Sequence, residues 1–223
     1  MVNSVPTRSE PVRDPEGTRA ALLDAATELF ARRGFSGAKT EEIARLAGVN
    51  KAMINYHFGG KARLYETILV TSLTHVTERL RGLMSSNVAA GDLLRALLDT
   101  LLELHRSRPT LSAVVLHEAM SGGRHLSDDV LPHFIKVFGM VREIVDRGVR
   151  EGAYRKVDPL LTHLTILGSV LFFFASVPMR ERLLREGRLG DTRPPTPERF
   201  VDHLHDLFSR GLAAENTPGR VDP

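Results

Sequence analysis

The 223-residue sequence predicts an all-α protein, and three observations lead to that class. Apolar residues recur at helical spacing, as Leu22, Ala26, Leu29 and Phe30 do near the N-terminus. No stretch shows the alternation of apolar and polar residues that marks a half-buried strand. Glycines and prolines separate the periodic stretches, where they end one helix or precede the next. We therefore expect a series of helices joined by short loops.

The composition describes an ordinary globular protein and excludes several classes. Hydrophobic residues make up 42% of the chain and charged residues 26%, and a formal net charge of +3 does not by itself establish nucleic-acid binding. Cysteine is absent, which excludes disulfides, thiolate nucleophiles and cysteine-based metal sites. The first residues lack the apolar run of a signal peptide, so we expect a cytoplasmic protein. The apolar stretch 160–179 contains His163 and ends at Pro178, which favours a buried helix over a membrane span.

Residues 40–58, TEEIARLAGVNKAMINYHF, predict two short helices joined by a tight turn. The hydroxyl of Thr40 can cap the first helix by accepting a backbone N–H. Gly48 stands where that helix must stop, in the left-handed conformation that glycine tolerates. Ala44 is small enough for a close helix crossing, and Ile54 belongs to the apolar face of the second helix. This spacing fits a helix-turn-helix, whose second helix enters the major groove of DNA.

The other face of the second predicted helix is polar and carries almost no acidic group. Hydrogen-bonding and cationic side chains can meet base edges and phosphate oxygens together, which a protein that reads DNA requires. The residues on this face are Asn50, Lys51, Met53, Asn55, Tyr56 and His57.

This part of the chain resembles the TetR family of bacterial transcriptional regulators. The resemblance lies in three sequence segments that occur in the family's order and spacing: TRAALLDAATELFARRGF, TEEIARLAGVNKAMINYHF and GGKARLY. The close resemblance spans Thr18 to Tyr65. It implies an N-terminal three-helix DNA-binding unit and a C-terminal helical domain for ligand binding and dimerisation. The implied function is that of a homodimeric repressor that a small molecule releases from a pseudo-palindromic operator in double-stranded DNA. An activator, a ligand-free regulator, and a helical enzyme or scaffold remain the alternatives.

The resemblance also implies which residues contact DNA. Those expected to hold phosphates are Lys39, Thr40, Tyr56, His57 and Lys61. Those expected to face bases are Lys51, Ala52, Met53 and Asn55, with Asn50 near the start of the helix. The family commonly has a tyrosine at the position of Asn55, and because asparagine can contact adenine through two hydrogen bonds, the base preference is not inherited from other members.

The chain divides into four expected segments. Residues 1–14 form a disordered arm, residues 15–60 the helix-turn-helix unit, residues 61–213 the ligand-binding and dimerisation domain, and residues 214–223 a disordered tail. Periodicity predicts helices at about 15–33, 61–84, 92–106, 109–121, 128–151, 159–177 and 197–213. Polar residues continue or kink the helix that begins at 159 as far as about 186.

Two apolar rows run along the helix that begins at residue 159, one of them through Leu160 and Leu167. One row can face the subunit's own core and leave the other for a partner, and the last helix carries a further apolar stripe. Burial of all these residues within one subunit is the alternative. The residues expected at the dimer interface are Leu161, Leu164, Gly168, Leu171, Phe172, Ala175, Phe200, Leu204, Leu207 and Phe208.

The implied effector pocket lies among the central helices, and its apolar candidates favour a small, largely apolar organic molecule. Glu118 and His117 would contact the effector's polar group, unless both bond within the helical core. The candidate lining residues are Leu101, Leu104, His105, Val114, His117, Glu118, Met120, Phe134, Phe138 and Phe172.

The sequence shows no pattern of an enzyme. The segment HEAMS lacks the second histidine of a metalloprotease helix, GGK lacks the spacing of a phosphate-binding loop, and no serine nucleophile elbow occurs. His105, His117, His125 and His133 could in principle bind a metal, but scattered histidines more often lie at the surface or bond within the core. We expect no metal, no cofactor and no catalytic site.

Overall fold

A computed structural model of the protein describes residues 14–190 and 192–214. These residues form α-helices joined by loops, with one isolated antiparallel bridge between Tyr154 and Ala213. The predicted arm and tail lie outside the described residues, apart from Asp14 and Ala214. The helices are α1 (Pro15–Gly37), α2 (Thr40–Leu46), α3 (Ala52–Phe58), α4 (Lys61–Met84), α5 (Ala90–Ser107), α6 (Leu111–Met120), α7 (Leu131–Arg150), α8 (Pro159–Ala175), α9 (Val177–Arg185) and α10 (Pro197–Leu212).

Helix α1 begins at a side-chain cap. The carboxylate of Asp14 accepts the backbone N–H of Glu16 at 3.1 Å, and Pro15 occupies the first helical position, where its missing N–H has no cost. Gly34 has a φ of 66° and interrupts the helix, so the predicted end near residue 33 marks a break rather than the end of the element. One further turn reaches Gly37.

Helices α1 and α3 pack on α4, α2 packs against α1 and α3, and the first three helices form the helix-turn-helix unit. Their shared core is apolar and closely packed, and the ring of Phe30 meets the ring of Tyr65 edge-on at 4.9 Å between centroids. Ala44 is buried where α2 meets α3, as the sequence predicts. The buried side chains of this core are Leu22, Ala26, Phe30, Ile43, Ala44, Ile54, Phe58, Leu64 and Tyr65.

The remaining helices continue the same core. Helix α5 packs against α4, α7 and α10, and α6 lies between α1 and α8. One hydrophobic cluster includes residues of both halves, from Leu22 in α1 to Leu212 in α10. Helix α6 contacts α1, and α4 contacts helices of both halves, so the two halves share an interface.

The apolar stretch 160–179 forms two helices rather than one. Helix α8 ends at Ala175, and α9 continues beyond Ser176 at an angle of 53°. Pro178 lies in the first turn of α9, where the sequence predicts the break. No single helix among the described residues has the length and hydropathy to cross a membrane, although the bent α8–α9 pair does by length and composition alone.

Candidate functional site

Helix α2 begins at Thr40, so the capping position is Lys39 and not Thr40 as the sequence predicts. Lys39 occupies the capping position in extended backbone, and its carbonyl accepts the N–H groups of Glu42 and Ile43, each at 3.1 Å. Thr40 is already helical, and its hydroxyl donates to the carboxylate of Glu41 at 3.2 Å. The prediction that Thr40 caps the helix is therefore wrong, because its hydroxyl lies inside the first turn. Lys39 remains exposed beside this turn.

Backbone hydrogen bonds hold the turn between α2 and α3. Gly48 has a φ of 67°, as the prediction of a left-handed stop requires. The N–H of Val49 donates to the carbonyl of Ala44 at 2.9 Å. The side-chain oxygen of Asn50 then accepts the N–H of Ala52 at 2.8 Å, which starts α3. The side-chain oxygen of Asn50 is thus engaged within the protein. The bond does not involve the side-chain NH₂ group of Asn50.

Helix α3 presents a mostly polar face to solvent. Ile54 and Phe58 are buried and fix the helix against the core, whereas the side chain of Tyr56 is 76% exposed. Met53 is partly buried because it packs against the core, so its side chain is less available for contact with DNA than its exposed neighbours. His57 is partly buried and meets the Tyr56 ring edge-on at 4.9 Å. The exposed residues of this face are Asn50, Lys51, Ala52, Asn55 and Tyr56.

Lys51 forms an ion pair across the turn. Its ammonium lies 2.5 Å from a carboxylate oxygen of Glu41, and both side chains are more than half exposed. The hydrogen bond from Lys51 lowers the pKa of Glu41 to about 2. An exposed pair of this kind contributes little to stability and exchanges readily. A phosphate or a base can therefore compete with Glu41 for the ammonium of Lys51.

Lys61 is the first residue of α4 and is partly buried. Its ammonium lies 4.4 Å from the ring centroid of Phe35, and burial lowers the pKa of the Lys61 ammonium. A lysine in the first turn opposes the helix dipole, and the aromatic ring offsets part of that penalty without any phosphate.

Glu118 forms a polar cluster that the sequence analysis did not identify. Its carboxylate accepts the hydroxyl of Tyr65 at 2.9 Å and the backbone N–H of His125 at 3.0 Å, and Nδ1 of His125 lies 3.0 Å away. Burial raises the pKa of the Tyr65 hydroxyl, and the neighbouring carboxylate raises it further. Burial alone would raise the pKa of Glu118, but these hydrogen bonds hold it below its ordinary value. The cluster joins the start of α4 to the end of α6.

His117 also bonds within the protein. Its Nε2 lies 3.1 Å from the carbonyl oxygen of Ala31 and so joins α6 to α1. The expectation that Glu118 and His117 contact the effector is therefore corrected. The carboxylate of Glu118 and Nε2 of His117 already have partners within the protein, at the seam where α6 meets α1 and α4. Sequence alone gives no sign of these partners, which lie 53 and 86 residues away along the chain.

A cavity of about 50 Å³ lies among α4, α5, α6, α7 and α8. Four of the predicted candidates line it: Leu101, Leu104, His105 and Phe134. The remaining lining residues are Leu69, Ser72, Leu73, Val76, Leu111, Val115, Val137, His163, Leu167 and Leu171.

The other apolar candidates lie elsewhere. Val114 is fully buried in the core beside the cavity, and Phe138 packs edge-on against His163 at 5.6 Å. Met120 and Phe172 are exposed. These four side chains are removed from the proposed lining, because none of them faces the cavity.

The predicted dimer residues separate into an exposed and a buried group. The exposed group lies on one side of α8 with one residue of α10, and its members are Leu161, Leu164, Gly168, Phe172 and Leu207. Leu171, Leu204 and Phe208 are buried within the subunit, and Phe200 stacks on Phe173 at 3.9 Å. Ala175 is partly buried. We therefore revise the expected interface to the exposed group.

Histidine and carboxylate side chains do not gather into a group of three or more anywhere in the part of the chain that the structure describes. Glu118 and the partly buried His125 form an ion pair if His125 is protonated, and Glu118 also accepts the hydroxyl of Tyr65 and the backbone N–H of His125. The polar groups at this seam therefore serve as links between helices.

The geometry defines a helical protein whose exposed helix α3 is presented by a helix-turn-helix. Residues 22–68 match the family model described as bacterial regulatory proteins, tetR family. Residues 91–193 match the model described as tetracyclin repressor-like, C-terminal domain. The two matches together cover more than half of the chain, and the protein belongs to the TetR family of transcriptional regulators.

Curated relatives agree with this assignment over nearly the whole chain. The HTH-type transcriptional repressor SCO4008 of Streptomyces coelicolor is 29% identical over 85% of this chain and 98% of its own length. The HTH-type transcriptional repressor NicS of Pseudomonas putida is 28% identical over 92% of this chain and 98% of its own length. The protein is accordingly a DNA-binding transcriptional regulator and not an enzyme.

Solved structures show the same fold. AibR, crystallised in complex with isovaleryl coenzyme A and operator DNA, aligns with a TM-score of 0.65 at 21% identity over 85% of this chain and 97% of its own. The fatty acid degradation regulator FadR from Bacillus halodurans aligns with a TM-score of 0.65 at 16% identity over 96% of this chain and all of its own.

Proposed function

We propose that the protein is a homodimeric repressor that binds a pseudo-palindromic operator in the bacterial cytoplasm and leaves it when a small, largely apolar molecule binds. The observation that carries this proposal is the exposed polar face of α3, which the turn at Gly48 holds away from the core. Such a face can enter the major groove, where base edges differ in their pattern of donors and acceptors. The curated names of two relatives as repressors support the direction of regulation.

Base contacts would come from the exposed side of α3. Asn55 can bind adenine through two hydrogen bonds, while Lys51 can leave Glu41 for a base or phosphate. Ala52 would make apolar contact, and Met53 only an edge contact because it packs on the core. Residues proposed to hold phosphates are Lys39, Thr40, Tyr56, His57 and Lys61, with the free NH₂ of Asn50 beside them.

The dimer would form through the exposed apolar stripe of α8. Leu161 of this stripe and Leu207 of α10 line the same surface groove, which places both side chains on the same side of the subunit. Packed against its symmetry mate, this surface would form an isologous four-helix interface. Large apolar side chains in one exposed patch commonly mark an interface.

Helix α4 offers a direct route from the cavity to DNA. It begins at Lys61 beside α3 and contributes Leu69, Ser72, Leu73 and Val76 to the cavity wall. A cavity of about 50 Å³ holds little more than one or two water molecules. An organic effector must therefore enlarge it, and a displacement of α4 would change the spacing of the two DNA-reading units in a dimer.

Lys61→Ala should weaken binding to all duplexes alike and flatten the slope of log affinity against log salt by about one unit per subunit. The reason is that each phosphate contact releases about one counterion. Fluorescence anisotropy of a labelled duplex at four or five salt concentrations measures the slope. Lys136→Ala is the matched control, because Lys136 is an exposed lysine on α7. An unchanged slope for Lys61→Ala would show that Lys61 makes no phosphate contact. Its ammonium would then serve only to pack on the ring of Phe35.

A further inference from the structure

His105 carries a buried hydrogen-bonding atom without a partner. The side chain is 3% exposed, and its Nδ1 lies 2.7 Å from the carbonyl oxygen of Leu101, one turn earlier in α5. A carbonyl only accepts, so Nδ1 must carry the proton. In the neutral ring Nε2 is then an acceptor, and it has no hydrogen-bond partner among the residues that the structure describes.

His105 lines the cavity, and its other contacts leave the edge of the ring that carries Nε2 unengaged. One face of the ring stacks on Phe174 at 4.8 Å between centroids, and Nδ1 is held against the residue's own helix. A buried acceptor without a hydrogen bond destabilises the protein, and a bound donor would remove that cost.

The rest of the lining is apolar except for the hydroxyl of Ser72 and the imidazole of His163. The hydroxyl of Ser72 is engaged with the carbonyl of Ile68 at 2.7 Å. His163 is the second imidazole, and burial lowers the pKa of both His105 and His163. Among the described residues, no lysine, arginine, aspartate or glutamate lines the cavity. A charged ligand would therefore enter without a counter-ion, which is costly in an apolar environment.

We propose that the effector is a neutral, largely apolar molecule with a hydroxyl or N–H donor, and that this donor binds Nε2 of His105. This inference rests on the proposed function in taking the cavity among α4–α8 as the effector site. It names the chemical class of the effector's polar group and the residue that recognises it.

The test compares probe pairs that differ in a hydroxyl and a methyl group of similar size: p-cresol with p-xylene, and 2-naphthol with 2-methylnaphthalene. Nitrogen-15 NMR of the histidine rings in the full chain reports on Nε2 of His105 directly. We expect each hydroxyl compound to shift this resonance and to bind about three- to tenfold more tightly than its methyl partner, the range that one net hydrogen bond provides. The methyl compounds should leave the Nε2 resonance nearly in place.

His105→Phe keeps a ring against Phe174 but removes the acceptor, so the hydroxyl preference should disappear. His75→Phe, at an exposed position of α4, should keep it. A preference that survives His105→Phe, or that disappears in His163→Phe instead, overturns the assignment. An Nε2 resonance that does not respond, tighter binding of p-toluate than of p-cresol at pH 8, or binding of none of the probes would each contradict it as well.

These measurements are made without DNA, so they stand apart from the proposed function. Release of the duplex is measured separately by anisotropy with the same probes. Binding through His105 with no release would contradict the effector role of the cavity and leave the hydrogen bond intact. Release of the duplex that is unchanged in His105→Phe would contradict the role of His105 and leave the proposed repressor function standing.

Discussion

Leu164→Glu should convert the dimer into monomers and lower operator affinity by at least about 100-fold. Leu164 is 55% exposed in the middle of the α8 stripe, so its substitution does not disturb the core of one subunit. In a symmetric interface the new carboxylate would be buried twice without a partner, which is costly. A monomer carries a single reading helix and would approach non-specific affinity.

Sedimentation velocity and duplex titration measure the two effects of Leu164→Glu. The matched control is Leu131→Glu on α7, an exposed leucine outside the stripe, which should remain dimeric. Phe208→Glu provides the contrast, because Phe208 is buried in the subunit and its substitution should give unfolded or insoluble protein. A Leu164→Glu protein that stays dimeric with unchanged affinity would contradict the proposed interface.

Phe30→Ala should destabilise the protein by about 3–5 kcal/mol and abolish specific DNA binding. Phe30 is fully buried, and its ring packs against the rings of Phe35 and Tyr65. The cavity left behind would loosen the contact between α1 and α4, on which the position of α3 depends. The loss is a large part of the stability of an ordinary domain, which is about 5–15 kcal/mol.

Thermal unfolding followed by circular dichroism measures the effect of Phe30→Ala, and we expect the midpoint to fall by about 10 °C. Leu83→Ala on α4 is the control, since Leu83 is exposed and its loss should change the midpoint little. If Phe30→Ala keeps the wild-type midpoint and DNA affinity, this aromatic cluster does not position the helix-turn-helix.

The helix-turn-helix could be predicted from sequence because its signals are local. Gly48 stops α2 within a few residues of the turn, and Ile54 and Phe58 recur at helical spacing on α3. The break after α8 is also local, since Pro178 lies next to it. The prediction that Thr40 caps α2 was wrong. The capping residue is the last one with extended backbone before the helix, and that residue is Lys39.

The cavity residues could be predicted only in part, because side-chain direction depends on contacts between distant helices. Helix α6 is apolar on several sides, so periodicity does not choose the face that meets the cavity. Glu118 and His117 turned out to face Tyr65 and Ala31 across the seam. On α10 the pattern identified an apolar stripe correctly, but most of that stripe packs on α5 within the subunit.

Recognition of a symmetric operator by α3 can be tested by sequencing the DNA fragments that the 223-residue chain retains from a random duplex library. We expect two half-sites related by two-fold symmetry, with centres about 34–36 Å or a multiple of that distance apart. The Asn55→Ala protein should retain a motif that is relaxed at one or two base pairs in each half-site, at a cost of about 1–3 kcal/mol. No enriched motif, an asymmetric single site, or an Asn55→Ala motif identical to that of the wild type would contradict the claim that α3 reads a symmetric operator.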